Sequence, residues 1–259
     1  VRAQTIRIAA DAGDLDVAGT LDASGETGGR IALHAGNDLA VRSGAVLRAR
    51  SSGAGEAGGG LELGSRDGTL DLAAGSTLDV SGGAGGDGGT VHLRARRVGN
   101  EVAVGGIGSS IAGAREINLE AVRVYSNIAT RLGMAADPRF RLLSGVEMRA
   151  SGDLTLAQDW NLKDSRAGGE AGVLTLRAAG DLKINANLSD GFSHATPCTV
   201  TPCPANNAVP ATVLADRSWA YRLVAGADTR AADPLASGPA RDVVLAAGKL
   251  VRTGTGRID

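Results

Sequence analysis

Few side chains in this 259-residue chain are of the kinds that do chemistry: three histidines, two cysteines and six aromatics, against 28 Asp and Glu. Hydrolysis or lysis of a glycan would need several carboxylates, or carboxylates with a base, on adjacent rungs of one face. Asp11, Asp14 and Asp16 crowd together, but DAGDLD reads as a turn leading into a strand. His34 and His92 lie beside or between aliphatic positions and are expected to point to solvent, with Glu62 one repeat before His92 as its partner. No His–Asp–Ser or His–Cys relationship is visible. No catalytic, cofactor or metal residue is therefore assigned, and the chain is not expected to be an enzyme.

Two other groups could recognise or cross-link. Cys198 and Cys203, in PCTVTPCP, could close a small ring as a disulfide, remain a free pair, or form half a metal site with His194. Close even spacing favours the disulfide, since zinc needs about four ligands. Trp219 and Tyr221 alternate as in a strand, beside Arg217 and Arg222. Exposed, these four would contact a sugar or a protein partner; folded back, the rings would cap the coil. GGAGGDGG near Gly82 matches the calcium-binding nonapeptide poorly, because it does not recur in tandem.

The elements that must hold these residues are legible from a repeat. Ile6/Ile8, Ile31/Leu33, Leu61/Leu63 and Val91/Leu93 are equivalent pairs, at steps of 25, 30 and 30 residues. Leu15/Val17 matches Leu39/Val41 and Leu70/Leu72, while Leu21, Leu47 and Leu78 mark a third strand. Alternating apolar and polar residues make strands, and a period of this length makes a solenoid. The expected fold is all-β: a right-handed parallel β-helix with three short strands per turn and one long irregular insertion. Asp22, Arg48 and Asp79 should stack on successive turns, fixing register more than adding stability. A single rod of eight turns would be on the order of 40 Å long.

Along the chain, 1–97 reads as regular turns, 98–141 as less regular, with an irregular or partly helical stretch around RLGMAADPRFR, and 142–188 as regular again. Residues 189–240, holding both cysteines and most of the prolines, read as an insertion outside the coil; 241–259 restarts a turn. Aromatics at 2% and 39 glycines suit thin layers of aliphatic side chains separated by tight turns. A net charge near −1, with the two signs interspersed, argues against a nucleic-acid partner. No apolar run is long enough for a membrane helix. Val1 is not a natural start, so the sequence reads as a piece of a longer protein, with targeting signals elsewhere.

The strings GDLTLAQDWNLKD, GVLTLRAAGDLKINANLSDGF, DRSWAYRLVAGAD and VVLAAGKLVRTGTGRID, in that order, resemble the filamentous haemagglutinin family of large bacterial exoproteins. The likeness is most specific over 144–259. It implies a β-helical shaft that is secreted or held at the bacterial cell surface, exported through an outer-membrane transporter barrel in two-partner secretion. The implied role is that of an adhesin or biofilm factor meeting a surface receptor or glycan, or of the stalk of a contact-dependent inhibition toxin. A carbohydrate-binding or carbohydrate-processing β-helix is the other reading. The resemblance carries no catalytic residue into this chain.

Overall fold

A computed structural model describes residues 1–99, 101–125, 140–166, 170–193, 196–197, 208–209 and 212–259. The chain is an all-β parallel solenoid. Its spine is one sheet of eight parallel strands: β1 (Thr5–Ala10), β2 (Arg30–Ala35), β3 (Gly60–Ser65), β4 (Gly89–Val98), β5 (Ala114–Tyr125), β6 (Phe140–Ala150), β7 (Val173–Ala178) and β8 (Ala220–Val224). They stack in chain order, and a short strand, Glu101–Val102, pairs antiparallel with β4.

Two narrower faces complete each turn. Leu15–Val17, Leu39–Val41, Leu70–Leu72 and Val104–Ile107 form one; Thr20–Asp22, Val46–Arg48, Thr77–Asp79 and Ser110–Ala112 form the other. Each strand here has only three or four residues, because the chain must turn sharply. Gly44 and Gly75 make equivalent corners with φ of 81° and 83°, a left-handed conformation that side chains with a Cβ resist. Parallel pairing puts Ile6, Ile31, Leu61, Val91 and Ile117 in one ladder and Ile8, Leu33, Leu63, Leu93 and Leu119 in the next. Asp22, Arg48 and Asp79 are also in register, as the repeat predicts.

The solenoid has two cores instead of one continuous rod. The first runs from Ile6 to Ile117 and the second from Leu162 to Tyr221. The cause lies in β5 and β6. Ile117 and Leu119 face the first core, but the second core starts at Val146 and Met148, which pair with Arg123 and Tyr125. The buried column therefore steps six residues along the strand, about 20 Å at ~3.3 Å per residue. Around the second core the narrow faces are Leu154–Leu156, Leu182–Ile184 and Val243–Leu245, then Trp160–Asn161, Leu188–Ser189 and Val251–Arg252.

Two sequence-based boundaries are redrawn. Residues 98–141 hold full rungs at Val104–Ile107, Ser110–Ala112 and β5, while residues 126–139, most of the predicted irregular stretch, lie outside the described residues. The stretch 189–240 is not one insertion: β8 lies within it and pairs in register with β7, Leu174 against Tyr221 and Leu176 against Leu223. That rung arrives 47 residues after Leu174, well beyond the ordinary period, so periodicity alone skips it.

The stack leaves no room for side chains in one glycine column. A Cβ on Gly59 would lie 2.0 Å from the carbonyl oxygen of Gly29, whereas one on Gly60 would meet only Thr90 Oγ1, at 3.7 Å. Gly59→Ala is expected to lower stability by about 1–3 kcal/mol through overpacking, and Gly60→Ala by much less. Urea unfolding of both variants measures this, with equal m-values as the control.

Candidate functional site

The outward-facing residues of a solvated sheet would be wet. On this spine many are buried: His34, Glu62, Arg94, Glu120, Glu147, Thr175, Arg177 and Arg222. Their pairings show why. Arg222 on β8 lies 3.9 Å from Glu62 on β3 and 3.0 Å from Glu120 on β5. In a flat sheet, five strand spacings would hold β3 and β8 roughly 24 Å apart, too far for those side chains to meet. The spine is therefore curled, with its outer face concave and its two ends brought together.

Three guanidinium groups meet three carboxylates inside the curl. Arg94 bridges Glu120 at 3.1 Å and also pairs with Glu147. Arg177 reaches Glu147 at 3.2 Å, and Arg222 completes the set on Glu120. Arg30 and Arg149 join from the rim, on Glu62 and Glu147 respectively. Burial by itself would raise the carboxyl of Glu62, but the positive charge around it, Arg222 foremost, holds it at about 2. Glu147 is likewise held at about 2, by Arg94, Arg149 and Arg177 against its own desolvation. Glu120, fully enclosed, is also driven well below the usual carboxylate range despite burial, by Arg222, Arg94 and His92.

A strap closes the mouth of the curl. After β8 the chain crosses the charged face, and its buried Ala231, Ala232 and Asp233 lie against both ends of the spine. Arg177 donates to the carbonyl oxygens of Asp228, Ala231 (3.4 Å) and Asp233 (3.3 Å). On the other side Ala232 N–H donates to Asp11 Oδ1 at 3.0 Å, and Arg7 pairs with Asp233. Asp11, read from sequence as part of a turn, is thus one anchor of the strap.

The histidines correct the sequence reading. His34 is 2% exposed and buried in the curl; desolvation lowers its pKa and keeps it neutral. Its neighbour in the stack, on β3, is Gly64, which leaves space for the imidazole. His92 bonds Glu120 on the following rung at 2.7 Å, not Glu62 on the preceding one. The reason is common: both histidines sit on the face that curls shut, so alternation places them away from the aliphatic core but not in water.

No family model, curated protein or solved structure matches this chain. Among the described residues no cluster of three or more His, Cys, Asp or Glu is placed to hold a metal ion. Cys198 and Cys203 lie outside the described residues.

Three of the four residues read either as a partner-contact set or as a cap folded back on the coil are buried, which favours the cap. Tyr221 is 0% and Trp219 1% exposed, and both belong to the second aliphatic core. Tyr221 donates its phenolic hydrogen to the carbonyl of Arg252 at 3.1 Å, and burial pushes its pKa up. Arg222 points to the opposite side, into the charged curl. Arg217 alone is exposed, paired with Glu116 across the cleft between β5 and β8. No sequence signal announced the charged curl, because its members are far apart in the chain and each looks like an ordinary solvated position.

Two outcomes follow from this arrangement. Arg222→Ala should destabilise the fold by about 3–5 kcal/mol, since it leaves Glu120 buried beside fewer cations; chemical denaturation reads this directly. Acid should do the same gradually. Glu62 and Glu147 are depressed from an ordinary 4.5, so their stabilisation is present above about pH 4.5 and is lost as pH falls toward 2. His34, depressed from 6.5, adds a smaller loss beginning below that value. The urea midpoint should fall slightly between pH 7 and 5 and steeply below 4.5.

Proposed function

We propose that this chain is a structural and adhesive shaft segment of a secreted bacterial surface exoprotein of a two-partner secretion system. The observation that carries the reading is the in-register stack of parallel rungs. Every new rung gains its hydrogen bonds and its aliphatic contacts from the rung before it, so folding can propagate along the chain. A polypeptide threaded unfolded through an outer-membrane barrel needs that property, and it does not need a large preformed core. The scarcity of aromatics fits the same requirement.

The electrostatics also favour a shaft over a glycan-processing coil. A general acid for glycoside cleavage has its pKa raised by its surroundings. The buried carboxylates here are lowered, each held by guanidinium groups, so they serve as fixed anions. As a surface segment, the coil would present its exterior to a receptor or glycan on a host or bacterial cell.

Immunogold labelling of intact bacteria tests the location. The chain is expected on the cell surface of the parent strain and absent from it after deletion of the partner barrel gene. Folded chain in the cytoplasm of both strains would overturn the reading. Purified protein should also bind epithelial cells or an abiotic surface above a scrambled-charge control.

A further inference from the structure

Between β5 and β8 the concave face opens into a cleft of about 830 Å³, within the size range of pockets that enclose small ligands. Many of its charged walls are already neutralised: Arg30 by Glu62, Arg217 by Glu116, Arg257 by Asp259. Three lining groups are not. Asn118 Oδ1 is a buried acceptor with no hydrogen-bond partner. Thr90 sits two residues before the row shared by His92 and Asn118, on the same face, and the absent side chain of Gly60 leaves the space beside its hydroxyl open.

Arg115 is the third. The pairing of β4 with β5 slips here: Gly89 faces Ala114, yet Thr90 faces Glu116, so Arg115 is an extra residue in a β-bulge. Bulges re-aim a side chain out of the regular alternation, and they are enriched beside functional sites. Arg115 lines the cleft, is exposed, and has no hydrogen bond or ion pair to another described residue. Its guanidinium offers a planar fork suited to a carboxylate.

We propose that this cleft binds a small hydroxylated carboxylate, of the sugar-acid class, with Arg115 taking the carboxylate and Asn118 and Thr90 taking hydroxyls. A hydroxyl donates to the waiting Asn118 oxygen and exchanges a hydrogen bond with Thr90. A single negative charge fits better than several, because Glu62, Glu116 and Glu170 also line the cleft and would repel a polyanion. Binding here requires neither export nor adhesion, so it stands or falls separately from the shaft reading.

Calorimetric titration of the whole chain with sodium D-glucuronate, D-glucose and sodium acetate tests it. Glucuronate should bind at least about ten-fold more tightly than either of the others, because only it carries both features. Arg115→Ala should weaken glucuronate by about ten-fold or more and leave the far-ultraviolet spectrum unchanged, since the residue is exposed. Gly60→Val should block the floor and abolish binding without unfolding the sheet, because the added atoms project into open space. Methyl glucuronide and gluconate then separate the sources: preference for the glycoside assigns a glycan terminus, and preference for gluconate a free sugar acid. No glucuronate binding, equal binding of glucose, or binding indifferent to Arg115→Ala would overturn the proposal.

Discussion

The charged curl of the spine governs this structure more than its aliphatic ladders do. Ladders of Ile, Leu and Val hold each turn to the next, but they would equally hold a straight rod. What bends this one is that the outer face of the sheet carries Arg94, Arg177 and Arg222 beside Glu62, Glu120 and Glu147. Each of these ions must be paired once water is excluded, since an isolated buried charge is costly. Closing the sheet on itself lets one end supply the counter-ions of the other. Three positive and three negative groups balance, and His34 stays neutral among them. Such pairing contributes less to net stability than to the choice of one geometry: a slipped curl would leave like charges adjacent.

That balance explains how much could be read beforehand. Strand identity, register and the three-sided turn were legible because a period of two, repeated at Ile31/Leu33, Leu61/Leu63 and Val91/Leu93, is a local property of the chain. The curl was not legible, because Glu62 and Arg222 are 160 residues apart and nothing local distinguishes a carboxylate facing water from one facing a distant guanidinium. His34 failed for the same reason: alternation says which side of a sheet a residue is on, not what lies over that side. For Trp219 and Tyr221 the folded-back reading holds, but their place in the stack was hidden. Their long delay after β7 hid the fact that they belong to its next rung, with Tyr221 stacked on Leu174 inside the second core.

The bulge at Arg115 has a similar history. In sequence it is one more basic residue before an alternating strand. Only the pairing of Gly89 with Ala114 and of Thr90 with Glu116 shows that one residue is supernumerary. The position coincides with the approach to the lateral step of the buried column, which carries the chain from the first core to the second within β5 and β6. The supernumerary residue also leaves a cation outside the pairing that neutralises its neighbours.

Under the proposed shaft reading, bending has a mechanical consequence. A straight solenoid transmits tension through every rung in series, whereas here the strap from β8 reaches back to Asp11 and Arg7 and ties the eighth strand of the spine to the first. A pull along the chain therefore loads the strap contacts and the buried ion pairs before it peels any rung from its neighbour. Those contacts are few and local, Arg177 on three backbone carbonyls and Asp233 on Arg7, while the ladders behind them are long and redundant.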